Sequence, residues 1–286
     1  MEFRYKETLP ISIVQMDCAL NDVEANAEFV IKTIENQKSK SSLIVFPELC
    51  LTGYSVGKNF ADCALRVDST VMQKIVKATK GTAACVGFIE ETDAFSFYNS
   101  LAIIYDGDIK SIHKKVYLPN YGIFEERKYF SPGTKYETVM LDNFRLAPFI
   151  CGDAWNPAFV HLAAADLANV IVLSVCSPEG GLGSRLSSKD NWKRLVRMYA
   201  TLYGCYVIFV NRVGKEKDLT FWGESEVIDP FGATVVSSRG DDAVVLDAEL
   251  NLKEVRESRI TINTLRDEDF NFLQRRLKKV MEFNYK

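Results

Sequence analysis

Short, continuous apolar runs alternate along this chain with stretches of helical periodicity, and that alternation constrains the fold more than any other feature. Ile-Ser-Ile-Val-Gln-Met (11–16) precedes a stretch from Val23 to Gln37 in which Ala27, Val30, Ile31 and Ile34 recur at helical spacing, with Asp22 placed to cap it. Ser-Leu-Ile-Val-Phe (42–46) follows, then a helical pattern over 67–79, then Ala-Ala-Cys-Val-Gly-Phe-Ile (83–89). Runs this short and this apolar suit buried strands, so the series reads as strand–helix–strand units. The pattern then changes: Ser-Leu-Ala-Ile-Ile-Tyr (100–105), Asp106-Gly107 and the stretch from Ile109 to Tyr117 predict an antiparallel hairpin. Asp-Gly meets the positive-φ demand of its tight turn.

Beyond residue 150 the alternation returns, with a helix near 155–168, a strand at 170–175, a helix near 188–203 and a strand at 206–210. Residues 224–250 read as strands about the turn Asp229-Pro230-Phe231-Gly232, and a charged helical tail begins near Asp267. Two such halves flanking a hairpin favour a layered α/β sandwich with mixed sheets over a simple doubly wound sheet, a choice that periodicity alone does not force. No composition break marks a linker, so the 286 residues are expected to form one domain, with a core over about 10–250 and a tail over about 251–286.

Composition excludes several classes of function. With 35 Lys and Arg against 38 Asp and Glu, scattered together, the chain offers no basic stripe for nucleic acid. No apolar stretch reaches the ~20 residues needed to span a bilayer. Met-Glu-Phe-Arg-Tyr-Lys-Glu at the N-terminus has charges where a signal peptide needs an apolar core, so a cytoplasmic location is expected. The seven cysteines form no CxxC pair, and their odd number argues against a disulfide framework or structural zinc site.

One cysteine stands apart. Cys151 ends the apolar run Arg-Leu-Ala-Pro-Phe-Ile (145–150) and opens Cys-Gly-Asp-Ala-Trp-Asn-Pro, which reads as a helix start. There the backbone N–H groups and helix dipole would favour a thiolate. Glu48 ends the run at 42–46 in the same manner, and ligands gather at the carboxyl ends of strands in open α/β sheets. A cysteine nucleophile commonly takes histidine as its base, but only His113 and His161 are available. His161 falls about three turns beyond Cys151, on the expected helix and directed away from its start. A Cys-His dyad therefore needs His113; the other partners on offer are Lys114 and Lys115, beside it at the end of the hairpin, and the pair Glu125-Glu126 after a short loop. Tyr54, Trp155, Asn156 and the loop beginning at Ser177 follow or flank the strand ends and are candidate pocket residues.

Three ordered blocks carry a resemblance. Phe-Pro-Glu-Leu-Cys-Leu-Thr-Gly-Tyr (46–54), Lys-Val-Tyr-Leu-Pro-Asn-Tyr-Gly-Ile-Phe-Glu-Glu-Arg-Lys-Tyr-Phe (115–130) and Cys-Gly-Asp-Ala-Trp-Asn-Pro (151–157) resemble the signature segments of the nitrilase, or carbon-nitrogen hydrolase, superfamily. Asn-Arg-Val-Gly (211–214) and the region 222–232 are similar to its later segments. The resemblance implies an αββα sandwich, subunits paired as a homodimer or larger homo-oligomer, and a small-molecule amide as substrate. It implies Glu48 as general base, Lys115 as the cation stabilising the tetrahedral oxyanion together with the Gly152 backbone N–H, Cys151 as nucleophile and Glu126 as a further site glutamate. Neither metal nor organic cofactor is implied.

Cys151-Gly152-Asp153 resembles amidase-type branches more than true nitrilases, which favours a small carboxamide cleaved to acid and ammonia through a thioester. Hydrolysis of an N-carbamoyl compound is the alternative, and a catalytically silent binding protein of the same fold is a third. Asp153-Ala154-Trp155 also resembles the glutaminase parts of NAD synthetases, without a synthetase domain after it within 286 residues. Many amidase branches have Pro-Glu where this chain has Pro157-Ala158, which removes an expected polar contact.

Overall fold

Strands buried on both faces must be apolar at successive positions, and the first sheet shows why these runs qualify. The structure, a computed structural model, describes residues 6–181, 185–262 and 264–284. Residues 1–5, where the sequence reading looked for a leader, lie outside that set, as do residues 263, 285 and 286 of the tail. In strands β1 (Thr8–Gln15), β2 (Leu43–Val45), β3 (Ala83–Glu91) and β4 (Phe97–Tyr105), side chains alternate between two cores. Ile11, Ile13, Leu43, Val45, Ala83, Cys85, Leu101 and Ile103 face the second sheet. Val14, Ile44, Ala84, Val86, Ala102 and Ile104 face the helices instead. The two-residue period of the strand thus fills two layers from one apolar run.

The hairpin strand β5 (Asp108–Lys114) extends that sheet, and its turn residues Asp106 and Gly107 have φ of 50° and 77°, as the Asp-Gly dipeptide predicts. The second sheet is built from β6 (Val139–Leu141), β7 (Phe144–Ile150), β8 (Val170–Val175), β9 (Tyr206–Asn211), β12 (Glu226–Ile228) and β13 (Thr234–Ser237). A separate hairpin, β10 (Val213–Glu216) and β11 (Leu219–Trp222), stands outside both sheets. Strand β14 (Val244–Asn251) returns to pair antiparallel with β1, so the sheet orders are β14-β1-β2-β3-β4-β5 and β13-β12-β9-β8-β7-β6.

Helices α1 (Val23–Gln37) and α2 (Thr70–Ala78) cover the first sheet. Helices α3 (Pro157–Ala165) and α4 (Ser188–Tyr203) cover the second, and α5 (Leu252–Thr261) and α6 (Phe270–Asn284) form the tail. This is the expected α/β sandwich with mixed sheets. Asp22 caps α1 as expected by accepting from the Ala25 N–H at 3.0 Å. Truncating a side chain of the shared core, such as Phe149→Ala, is expected to cost about 3–5 kcal/mol.

Two expected helix bounds shift. The pattern at 67–79 yields a helix only from Thr70, because Ser69 accepts the Met72 N–H and sets the start there. The helix expected near 155–168 runs from Pro157 to Ala165, for a reason that bears on the site.

Candidate active site

Strands β1, β2 and β3 run parallel, and β5 shares their direction after two antiparallel steps through β4. The carboxyl ends of β2 and β5 therefore open at one edge, where the second sheet presents the ends of β7 and β8. Ser174 on β8 joins the sheets there by donating to the Phe46 carbonyl at 2.9 Å. Glu48 leaves β2 on a turn packed hard against β3: a Cβ on Gly87 would lie 2.6 Å from the Leu49 nitrogen and 2.7 Å from the Pro47 oxygen. Leu49 adopts φ 48°, a left-handed conformation that a side chain resists.

The four residues singled out for chemistry meet at this edge, all buried. Lys115 Nζ lies 2.6 Å from Glu48 Oε1 and 2.7 Å from Glu126 Oε1. Glu48 Oε1 also accepts from Asn99 Nδ2 at 2.8 Å, and its Oε2 accepts the Cys176 N–H at 2.8 Å. The Tyr54 hydroxyl donates to Glu126 Oε1 at 2.8 Å. Among the described residues, Glu126 Oε2 and Asn99 Oδ1 meet no hydrogen-bond partner.

Electrostatics follow from burial and crowding. Desolvation alone would lower the Lys115 ammonium, but the charges of Glu126 and Glu48 outweigh it and hold its pKa well above the usual range. Burial, with Glu48 adding to it and Lys115 opposing, lifts the Glu126 carboxyl to about 7. The surroundings of Cys151 do not favour the thiolate expected at a helix start. Burial, reinforced by Glu48, pushes its thiol well above the ordinary range, with Lys115 working against that shift, so the resting group is a neutral thiol rather than a thiolate.

The reason is local: Cys151 begins a 3₁₀ turn, Cys151–Trp155, and α3 starts only at Pro157, where Asn156 caps it through the Ala158 and Phe159 N–H groups. The dipole of α3 therefore begins past Cys151, whose own φ of 40° is strained. Glycine is required next: a Cβ on Gly152 would stand 2.7 Å from the Tyr117 carbonyl oxygen.

The remaining pocket candidates are put to varied uses. Asn156 spends its side-chain oxygen on the α3 cap, and Trp155 packs edge-on against Trp192 with centroids 5.5 Å apart. Both line, with Gly152 and Tyr121, a broad cavity beside Cys151's turn. Ser177 Oγ accepts from Trp222 Nε1 at 3.3 Å. Tyr54 and Glu126 line a second cavity of about 350 Å³ together with Phe130, Lys217 and Leu219.

Sequence reading missed the supports. Asp153 is fully buried; its Oδ1 accepts the Val116 and Tyr117 N–H groups at 2.9 Å each, and its Oδ2 accepts the Ile150 N–H at 3.1 Å and lies 2.8 Å from His113 Nε2. One carboxylate thus fastens the segment after Lys115 to the residue before Cys151. Its signal was a charged residue inside an otherwise apolar stretch. Asn99, at the polar edge of an apolar run, offered less, and Cys176 acts through its backbone, which no side-chain pattern reveals. His161 packs far from these groups, against Tyr203 and Phe270.

The model of the carbon-nitrogen hydrolase family matches residues 11–260. This chain belongs to the carbon-nitrogen hydrolase family. It is 30% identical to the glutamine-dependent NAD(+) synthetase of Thermotoga maritima over 86% of this chain and 42% of that one, so it spans less than half of such relatives. It is 26% identical to the citrullinase of Francisella tularensis, over 91% of this chain and 94% of that protein. The crystal structure of a carbon-nitrogen hydrolase from Helicobacter pylori shares the fold, with a TM-score of 0.83 at 23% identity, covering 96% of this chain and all 100% of the other. Among the described residues of this family member, no helix is long and apolar enough to cross a membrane.

Proposed function

We propose that the protein hydrolyses a small carboxamide to the acid and ammonia through a thioester on Cys151. The observation that carries this reading is the buried Lys115 ammonium held between Glu48 and Glu126 at 2.6 and 2.7 Å beside a buried thiol. Because the thiol rests protonated, the nucleophile must be made at the moment of attack, and Glu48 takes that proton. Sulfur attacks the amide carbon, and charge developing on the former carbonyl oxygen is met by Lys115 and the Gly152 N–H. Glu48 returns the proton to the departing amine. It then draws a proton from water, which attacks the thioester, releases the acid and restores the thiol. Glu126 Oε2 and Asn99 Oδ1 are free acceptors for the substrate's amide N–H groups.

A second reading is hydrolysis of an N-carbamoyl or ureido group by the same steps. It is supported by the 26% identity to a citrullinase. A cytoplasmic, homo-oligomeric protein completes the proposal, supported by seven unpaired cysteines and by exposed Leu162, Met198 and Leu202 on α3 and α4 that a second copy could cover.

The test is ammonia release from glutamine, simple carboxamides, citrulline and other N-carbamoyl compounds, with Cys151→Ala and Lys115→Ala beside the unaltered protein. Release confined to the unaltered protein supports the mechanism and names the substrate class. Turnover that survives Cys151→Ala refutes it, and a Lys115→Ala variant that changes only KM removes the oxyanion role.

A further inference from the structure

Beside this centre stands an ion pair that the chemistry above does not use. Arg212, fully buried, pairs with the buried Glu216 at the end of β10. Its remaining donors reach the Val213 carbonyl at 3.1 Å, the Cys18 carbonyl at 3.1 Å and Asp17 Oδ1 at 3.0 Å, and its guanidinium lies 4.4 Å over the Phe221 ring. Desolvation offsets much of the attraction between two such charges, so a buried pair stabilises weakly while constraining position strongly.

What this pair constrains lies 162 residues away in sequence: the Glu216 carboxylate accepts the Tyr54 N–H at 3.1 Å and the Ser55 N–H at 2.8 Å. Gly53, at φ 76°, admits the contact, since a Cβ there would stand 2.5 Å from Glu216 Oε1. Tyr54 in turn gives its hydroxyl to the same Glu126 oxygen that receives Lys115.

We infer that the Arg212–Glu216 pair is a positioning element of the active centre: by clamping the backbone at Tyr54 and Ser55 it sets the Tyr54 hydroxyl on Glu126, and so fixes the carboxylate that shares Lys115 with Glu48. Glu216 and Arg212 act through Tyr54 and touch no reacting atom. This inference deepens the hydrolase reading and concerns the same centre.

The test reads the titration of Glu126 in the resting protein, by carboxyl carbon NMR of glutamate-labelled material with Glu126→Gln to assign the signal. The groups that face this carboxyl are Lys115, Glu48, the Tyr54 hydroxyl and, at longer range, Tyr121 and Cys151. Tyr54→Phe removes a hydrogen bond that favours the carboxylate and is expected to raise the midpoint by about one unit. Glu216→Gln should raise it in the same direction. The double variant should move no further than Tyr54→Phe alone.

Glu226→Gln, which breaks the Arg197–Glu226 pair away from the centre, should leave the midpoint unchanged and so controls for general loosening. If Glu216→Gln fails to fold, Gly53→Ala displaces the clamp with both charges kept and carries the same expectation. A midpoint unmoved by Glu216→Gln or Gly53→Ala overturns the inference, as does a double variant that shifts further than Tyr54→Phe. Absence of turnover on every amide would sink the hydrolase reading without touching this titration.

Discussion

Replacing Asp153 by asparagine probes whether one buried carboxylate ties the lysine segment to the cysteine turn. Asparagine keeps a single acceptor oxygen, which can serve the Val116 and Tyr117 N–H groups as Oδ1 does now, both at 2.9 Å. Its NH₂ then faces the Ile150 N–H and His113 Nε2, where Oδ2 now stands 3.1 and 2.8 Å away. His113 can turn that nitrogen into an acceptor by changing tautomer, but the Ile150 N–H is left buried against another donor. Losing a hydrogen bond to a charged group and orphaning a buried donor together cost about 3 kcal/mol. For a chain of this size that lowers Tm by roughly 6–12 °C.

Activity should fall further than stability explains. Val116 and Tyr117 follow Lys115, and Ile150 precedes Cys151, so the cation and the nucleophile lose their common anchor; a misplacement of about 1 Å costs on the order of 10²-fold in rate. Thermal unfolding followed by near-UV circular dichroism, with ammonia release measured well below Tm, reads both effects. A variant that melts within about 2 °C of the unaltered protein and turns over at the same rate would show that Asp153 holds nothing together.

Two further outcomes follow from the charges around Lys115. Glu48→Gln should abolish turnover yet make Cys151 easier to ionise, because the Glu48 charge now opposes the thiolate; iodoacetamide should alkylate Cys151 faster at alkaline pH in this variant, and slower alkylation would contradict the assigned electrostatics. The Glu126 carboxyl is raised from 4.5 to about 7, so the folded state holds its proton longer than the unfolded chain does, and the resulting stabilisation is complete below about 4.5 and lost as pH rises through about 7. Glu126→Gln removes that dependence: its Tm relative to the unaltered protein should climb between pH 4.5 and 7, and a flat difference across that window would refute the assignment.

Much of the fold is legible in the chain because the relevant physics is local. A run such as Leu43–Val45, apolar at each position, can satisfy only a strand buried on both sides, and its residues do divide between the two cores. Asp22, Asp106 and Gly107 fix a cap and a turn through their own backbone preferences. Less was legible where neighbours in space decide. The expected helix start at Cys151 is a 3₁₀ turn, because Asp153 folds back onto the Ile150 N–H and Asn156 claims the cap six residues downstream of Ile150. The β10–β11 hairpin was not anticipated, since its Lys217-Asp218 turn lacks the glycine that marks the earlier one.

The sequence by itself determined which residues can carry chemistry, a cysteine, two glutamates and a lysine at or near strand ends, and the layered architecture that sets strand ends together. Tertiary structure alone decided their state. Cys176 meets Glu48 across 128 residues because two sheets close face to face, and Glu216 meets Tyr54 across 162 because the β10–β11 hairpin, outside both sheets, folds against the turn after β2. That closure strips water from all four groups, so the thiol keeps its proton, Glu126 titrates near neutrality and Lys115 stays charged between its carboxylates.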